Sequence, residues 1–397
     1  MVSRSFLAFA CVVYLSVEVS SRNCQCRAKQ ADVNLTGNQR SSKQGFDEPA
    51  LVITPTFRND EEKQITVKNS CTFEVEVGST GSDKGPSKNG VCPENQIDNG
   101  NERCFWNLTD FPDKLEVGGE YTINLGSKDD HLFSGNVWGV KKGQMELSCP
   151  SGECKPWVGP KGAITKVEFT LSKAGIDYFD TSIIEGVNIP MSMYPADVEP
   201  DPNDRYMCGV AGGCSWDFDP EPNLKKYVTN VISVDGTKCE VDSECTSGQV
   251  CGASFASRPP DYGVCGIFNG YASAHVSCMS GSTGAPFYCE DNKDVISCMG
   301  DYNLSGYNQP PGTKVCGCID WELLGIDAPT HVPCETTDKN WEEKSLPFLK
   351  FLKKGCPLSF IFAYDDFTGV VTCSSSRAYT IEFCPNDSEN NFFGSKQ

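Results

Sequence analysis

Histidine is scarce in this sequence, and acidic residues outnumber basic ones. The three histidines, His131, His275 and His331, lie far apart, so we expect no metal site built from several histidines. The 34 lysines and arginines face 53 aspartates and glutamates, which gives a formal net charge of −19. Because nucleic acid and anionic membrane surfaces need clustered cations, neither is an expected partner.

Long apolar runs are also missing after the first 21 residues, so we expect no membrane span. The sequence has no repeat of fixed period, no phosphate-binding loop and no nucleophile-elbow motif. We therefore predict neither a cofactor nor a metal ion.

The first 21 residues have the pattern of a secretory signal. A single early cation, Arg4, precedes a short apolar run over residues 6–15, and small residues follow at positions 19–21. The run is too short to span a bilayer, which needs about 20 apolar residues. We therefore predict a signal peptide over residues 1–21 and a secreted, extracellular protein.

Cysteine is abundant, and its number agrees with secretion. Of 23 cysteines, Cys11 lies in the predicted signal, which leaves an even number. An even set in a secreted chain predicts a disulfide framework. Asn34, Asn107, Asn303 and Asn386 each begin an Asn-x-Ser/Thr triplet, so we also expect a glycoprotein.

Short segments of alternating polarity predict a mainly β protein. In residues 167–171, Val167, Phe169 and Leu171 alternate with Glu168 and Thr170, which is the period of a half-buried strand. Further strands are predicted at 73–77, 121–125, 136–140, 178–184, 187–193, 370–373 and 379–383. Leucines at helical spacing, followed by Lys353, Lys354 and Gly355, predict a helix that ends just before Cys356.

Composition divides the chain into five parts. After the signal, residues 22–62 are polar and predict a flexible arm. Residues 208–355 are rich in Cys, Gly and Pro and lose periodicity, which predicts a disulfide-rich loop domain inserted between strands. We therefore expect a β-sandwich over 63–207 and 356–386, and a tail over 387–397.

Several ordered segments resemble thaumatin-like proteins, a family with pathogenesis-related members. They are 65–71 (ITVKNSC), 121–124 (YTIN), 167–171 (VEFTL), 177–191 (DYFDTSIIEGVNIPM), 363–366 (AYDD) and 383–385 (FCP). The resemblance runs from about Ile65 to Pro385. Two departures mark a divergent member: the region after Cys214 is longer, and a Cys-rich signature is reduced to Cys149–Cys154.

The resemblance implies a fold and a set of disulfides. The fold is a thaumatin-like antiparallel β-sandwich with an inserted disulfide-rich loop domain. The implied cysteine pairs are Cys71 with Cys384, Cys208 with Cys373, Cys214 with Cys356, and Cys149 with Cys154.

The resemblance also implies an acidic cleft that binds or cuts β-1,3-glucan. The family pattern of one Arg, one Glu and three Asp falls here on Asn136, Glu168, Asp180, Glu185 and Asp366. Carboxylates that share a groove repel one another, which raises the pKa of at least one of them. Glycoside hydrolysis needs a protonated acid beside an ionised partner, roles that would fall to Glu168 and Asp180. Because Asn136 removes the cation, we expect binding to survive better than catalysis.

Three functions stay open at this point. The first is a monomeric antifungal or defence protein that binds β-1,3-glucan or another cell-wall carbohydrate. The second is a weak endo-β-1,3-glucanase, and the third is an inhibitor or partner of a secreted hydrolase. Three of the acids also have a purely structural interpretation: Glu168 as an exposed strand residue, Asp180 as a turn brace, and Asp366 as a common turn residue.

Overall fold

The computed structural model describes residues 63–387 with twelve gaps. The gaps are 82, 87–95, 99–102, 107–110, 126–132, 145–161, 173–174, 216–218, 280–318, 330–345, 363–364 and 375. The predicted signal peptide and arm, residues 388–397 of the tail and the implied Cys149–Cys154 pair lie outside the described residues. So do Asn34, Asn107 and Asn303.

The described part of the chain is mostly β-structure. Its strands are β1 (Gln64–Asn69), β2 (Val75–Gly81), β3 (Asp83–Pro86), β4 (Gln96–Asp98), β5 (Arg103–Trp106), β6 (Lys114–Leu115), β7 (Glu120–Asn124), β8 (Phe133–Lys141), β9 (Lys166–Leu171), β10 (Asp177–Ser182), β11 (Met191–Pro195), β12 (Ala211–Gly212), β13 (Thr229–Ile232), β14 (Val250–Ser254), β15 (Asp261–Tyr271), β16 (Val371–Cys373) and β17 (Ala378–Phe383). Its α-helices are α1 (Pro222–Val228), α2 (Ala274–Met279), α3 (Leu346–Gly355) and α4 (Asp366–Gly369). Short 3₁₀ turns lie at Asp242–Glu244, Glu322–Leu324 and Pro385–Asp387.

Two sheets make the sandwich. One has five strands in the order β12-β11-β17-β1-β7, and the other has six in the order β16-β10-β9-β8-β2-β6. The pairs within them are antiparallel except β1 with β17, which runs parallel. The parallel pair joins the first and last strands, so the two ends of the described chain lie side by side in the interior of the five-stranded sheet.

Alternating apolar residues fill the space between these sheets. Ile65 and Val67 from β1 meet Val167 and Phe169 from β9, and all four are almost fully buried. Burial of such side chains stabilises a fold by roughly 1.5–3 kcal/mol each relative to exposure. The predicted mainly β, thaumatin-like sandwich is confirmed.

A second core lies beside the sandwich. It draws on the small sheet β13-β14-β15, on α1 and α3, and on the loop after β10. Ile183 and Val187 of that loop pack in this second core, so the loop joins the two cores. The expected limits of the inserted domain, 208–355, stay a prediction.

Five disulfides join ten of the cysteines in the described part of the chain. The three long-range pairs that the resemblance implies are present: Cys71–Cys384, Cys208–Cys373 and Cys214–Cys356. Two local bonds, Cys239–Cys251 and Cys245–Cys265, hold the small sheet. Within the described ranges, no helix has the length and apolar character needed to cross a membrane.

One local expectation needs correction. The strand expected at 187–193 begins only at Met191, since Val187 instead exchanges backbone hydrogen bonds with Tyr271. Helix α3 confirms the predicted helix before Cys356, with Lys353 and Lys354 in its last turn. The Lys353 side chain is fully buried and forms an ion pair with Asp365.

Candidate functional site

Three of the five predicted site residues form one row across neighbouring strands. Glu168 on β9 lies directly opposite Asn136 on β8 and Asp180 on β10. Residues opposite each other in antiparallel strands share a face, with Cβ atoms about 4.5–5.5 Å apart. The pairing therefore places one amide and two carboxyl groups side by side. Their face is opposite the one that carries Val167 and Phe169 into the core.

A buried tryptophan lies in the next row on the same face. Trp138 on β8 is opposite Lys166 on β9, which in turn is opposite Ser182 on β10. The indole ring passes so close to Gly78 that a Cβ there would lie 2.0 Å from it. Glycine at 78 thus makes room for a large apolar ring in the row that contains Lys166.

The loop after β10 brings a fourth predicted residue, Glu185, to this face. Asn188 anchors the loop, because its Nδ2 donates to the Gly139 carbonyl at 2.7 Å and its Oδ1 accepts from the Thr165 amide at 2.9 Å. Gly186 has a φ of +95°, in the left-handed region that favours glycine. Glu185 is held beside the first residue of β9 as a result.

Glu185 forms an ion pair with a residue that the sequence analysis missed. Lys166 Nζ lies 2.8 Å from Glu185 Oε2, and the two side chains are 15% and 30% exposed. Lys166 is two residues before Glu168, so the strand period places both on one face. That spacing was the signal available in the sequence. Asn136 stands where the family pattern has an arginine, and Lys166 supplies a positive charge at a different position on the same face.

Glu168 occupies a poorly solvated position beside this ion pair. Burial raises the pKa of Glu168 to about 7, while the Lys166 charge opposes the increase and the Glu185 charge adds to it. The Ser182 side chain donates a hydrogen bond that stabilises the charged form. Glu168 can consequently gain or lose a proton near neutral pH.

Asp180 is the most enclosed carboxyl group of the row. Burial raises its pKa well above the usual range, and the neighbouring carboxyls of Glu168 and Asp366 raise it further. Its Oδ1 is buried and has no hydrogen-bond partner among the residues described. A buried acceptor without a donor costs free energy, so this atom favours either a proton or a donor from a ligand.

Asp366, the fifth predicted residue, begins α4, which packs against β10. Burial raises its pKa to about 7, and its Oδ2 lacks a hydrogen-bond partner within the described part of the chain. Its neighbour Asp365 is different, since it accepts from Lys353 Nζ at 2.7 Å and from Trp321 Nε1 at 3.0 Å. The Asp365 contacts fix the start of α4 and thereby the place of Asp366.

The structure thus brings all five predicted residues to one region. Asn136, Glu168 and Asp180 form the row, Glu185 joins it through Lys166, and Asp366 approaches Asp180 from α4. The aromatic Phe179 points the other way and is buried in the sandwich core. An acidic face of this kind can accept hydrogen bonds from hydroxyl groups and can hold a proton.

A comparison of the sequence with family models identifies the relatives of this chain. Residues 107–309, slightly more than half of the chain, match the model of the thaumatin family. This chain belongs to the thaumatin family. Among curated relatives, the thaumatin-like protein 1 of Prunus persica is 22% identical over 331 residues, which cover 81% of this chain and 90% of that protein.

Two further matches are a receptor kinase, of which the chain covers only a part, and a solved glucanase. The PR5-like receptor kinase of Arabidopsis thaliana is 23% identical over 287 residues, covering 69% of this chain but only 30% of the kinase. A solved laminaripentaose-producing β-1,3-glucanase in complex with laminaritetraose aligns with 81% of this chain and 98% of its own, at 10% identity and a TM-score of 0.41.

Proposed function

We propose that this thaumatin-family protein is secreted and binds a cell-wall carbohydrate, with β-1,3-glucan as the first candidate. The site is the acidic face built from Asn136, Glu168, Asp180, Glu185 and Asp366. In this proposal the protein acts in defence or in wall remodelling. The local disulfides of the small sheet are consistent with an oxidising, extracellular compartment.

One observation carries the proposal: the aligned row of Asn136, Glu168 and Asp180, with a carboxyl oxygen of Asp180 that lacks a donor. Sugar hydroxyls both donate and accept, so they complement a row that mixes carboxyl and amide groups. The acidic surface also favours a neutral polymer over an anionic one. Glu185 and Lys166, which are partly exposed, form the part of the site that a polymer reaches first.

The test is retention of the disulfide-intact protein on insoluble β-1,3-glucan, with cellulose and chitin as control polymers. We expect selective retention on the glucan, and we expect Glu185→Gln to weaken it about tenfold by removing a charge-assisted acceptor. Glu120→Gln is the matched control, because Glu120 is an exposed strand residue of the other sheet. Retention on no polymer, or equal retention on all three, contradicts the proposal.

Weak endo-β-1,3-glucanase activity is the second candidate, favoured by the pairing of Glu168 with Asp180. A retaining mechanism needs carboxyl groups about 5–5.5 Å apart, whereas an inverting one needs about 6.5–9.5 Å. Directly opposed strand positions suit the shorter separation. Burial raises the pKa of both groups, however, and an ionised nucleophile is required, so binding is the stronger proposal. Release of reducing sugar that stops in Glu168→Gln would support the enzyme.

A further inference from the structure

Lys166 lies in the middle of the acidic face rather than at its edge. It is the first residue of β9, flanked across the sheet by Trp138 on one side and Ser182 on the other. Trp138 is 1% exposed and the Lys166 side chain is 15% exposed. Ion pairs in such poorly solvated surroundings are less screened by salt and water than surface pairs.

Two carboxyl groups, those of Glu185 and Glu168, act directly on this lysine, and two more lie beyond them. Glu168 comes from its own strand, Glu185 from the loop after β10, and Asp180 from β10 behind Glu168. Asp366 on α4 lies beyond Asp180. His275 on α2 faces Glu185 and Lys166, but burial lowers the pKa of His275, so this residue is neutral at neutral pH. Lys166 is thus a cation that faces Glu185 and Glu168.

The directions of the pKa shifts divide these acids into two kinds. The Lys166 charge lowers the pKa of Glu185 despite its burial, and the acids raise the pKa of Lys166 despite its own burial. Glu168 lacks an ion-pair contact in the described structure, and its pKa rises to about 7. Glu185 therefore favours its ionised form, Glu168 exchanges its proton near neutral pH, and Asp180 favours its protonated form.

We propose that Lys166 is a positioning residue of the carbohydrate site, which holds Glu185 as a fixed ionised acceptor and sets the proton occupancy of Glu168. The site then presents an ionised acceptor at Glu185 and a proton donor at Glu168. A sugar hydroxyl can donate a hydrogen bond to Glu185, and a sugar hydroxyl can accept one from Glu168. This role in binding rests on the proposed function, whereas the charge arrangement itself does not.

The test follows the carboxyl groups of Glu168 and Glu185 by carbon NMR over a pH titration of the unliganded protein. Lys166→Gln removes the charge, Lys166→Arg retains it, and Lys114→Gln is the matched control. Lys114 lies in the same six-stranded sheet, and its pair with Glu116 is exposed. In Lys166→Gln we expect both midpoints to rise by about one pH unit or more. Lys166→Arg and Lys114→Gln should keep the original midpoints.

Unchanged midpoints in a natively folded Lys166→Gln would overturn the proposal, as would Lys166→Arg behaving like Lys166→Gln. If Lys166→Gln does not fold, Glu185→Gln supplies a test of opposite sign. Loss of the Glu185 charge should lower the Glu168 midpoint, and an unchanged or higher midpoint contradicts the proposal.

Glucan retention measured across the same pH range completes the experiment. Its pH midpoint should shift together with that of Glu168 in Lys166→Gln. Midpoints that move in a protein that retains no glucan contradict the proposed function and support the charge role of Lys166.

Discussion

Two buried aspartates on β10 lie three residues apart and have opposite surroundings. Asp177 is fully buried, yet Lys63, the Tyr379 hydroxyl and the Ser172 amide all donate to it. Asp180 is almost as buried, but its neighbours are carboxyl groups and its Oδ1 has no donor among the described residues. Burial raises the pKa of both, so burial alone does not distinguish them.

The same contrast recurs at Asp365 and Asp366, which are adjacent in the chain. Asp365 accepts from Lys353, Trp321 and the Thr368 hydroxyl, whereas Asp366 leaves Oδ2 without a partner in the described structure. A buried acid surrounded by donors is an anchor of the fold. A buried acid without them carries a cost in stability, and such costs are common at binding and catalytic sites.

The largest expected effect is the loss of the Asp365 anchor. Asp365→Asn leaves the fully buried Lys353 ammonium without its counter-ion, and breaking a buried pair in this way costs about 3–5 kcal/mol. Asp366→Asn, its matched neighbour, should not destabilise the protein. The measurement is the free energy of unfolding by urea with the disulfides intact. Equal destabilisation by the two substitutions would remove the distinction between anchor and site.

On β10 we expect smaller changes in the free energy of unfolding, and two substitutions there should differ in sign. Asp177→Asn should lower the free energy of unfolding by about 2–3 kcal/mol, because it weakens charged hydrogen bonds to Lys63 and Tyr379. Asp180→Asn should leave stability unchanged or increase it, since it removes repulsion from Glu168 and Asp366. Exposed Asp113, substituted in the same way, controls for the chemistry of the change. A destabilised Asp180→Asn would show that Asp180 is an anchor too.

The pH dependence of stability should give the smallest effect per pH unit. The pKa of Glu168 is about 7 in the folded protein and about 4.3 in an unfolded chain, so between these values the folded state binds more protons. The free energy of unfolding therefore falls as pH rises from about 4 to 7, by at most about 1.4 kcal/mol per pH unit for this group.

Glu168→Gln tests this dependence, because it removes the titrating carboxyl while keeping the shape of the side chain. Urea unfolding of both proteins at several pH values between 4 and 8 should show a flatter profile for the variant. Parallel profiles would mean that Glu168 is solvated in the folded state.

Much of the sandwich could be predicted from local pattern. The alternation of Val167, Glu168 and Phe169 predicts a strand, its buried face and a carboxyl group on the other face, and the structure has all three. The helix before Cys356 was likewise predictable from leucine spacing and a closing glycine. Each of these patterns involves residues only a few positions apart, so it can be recognised in the sequence without the tertiary structure.

The polar contacts of the site were harder to predict. Lys166 shares a face with Glu168, but nothing local indicates that a loop anchored by Asn188 will place Glu185 beside it. The sequence places Lys353 in the last turn of its helix, but the pattern does not show that its side chain pairs with a buried acid. Its partner Asp365 lies beyond the end of the helix, in a turn whose path the pattern does not specify.

The sequence by itself determined the β class, the face that each strand buries and the acidic character of the chain, because side-chain alternation and charge are local properties. The tertiary structure decided which acids gained a donor. That outcome depends on strand register and loop anchoring, which bring together groups as distant in sequence as Lys63 and Asp177. Burial then makes the presence or absence of a donor important for stability, because a buried polar group without a hydrogen-bond partner costs free energy.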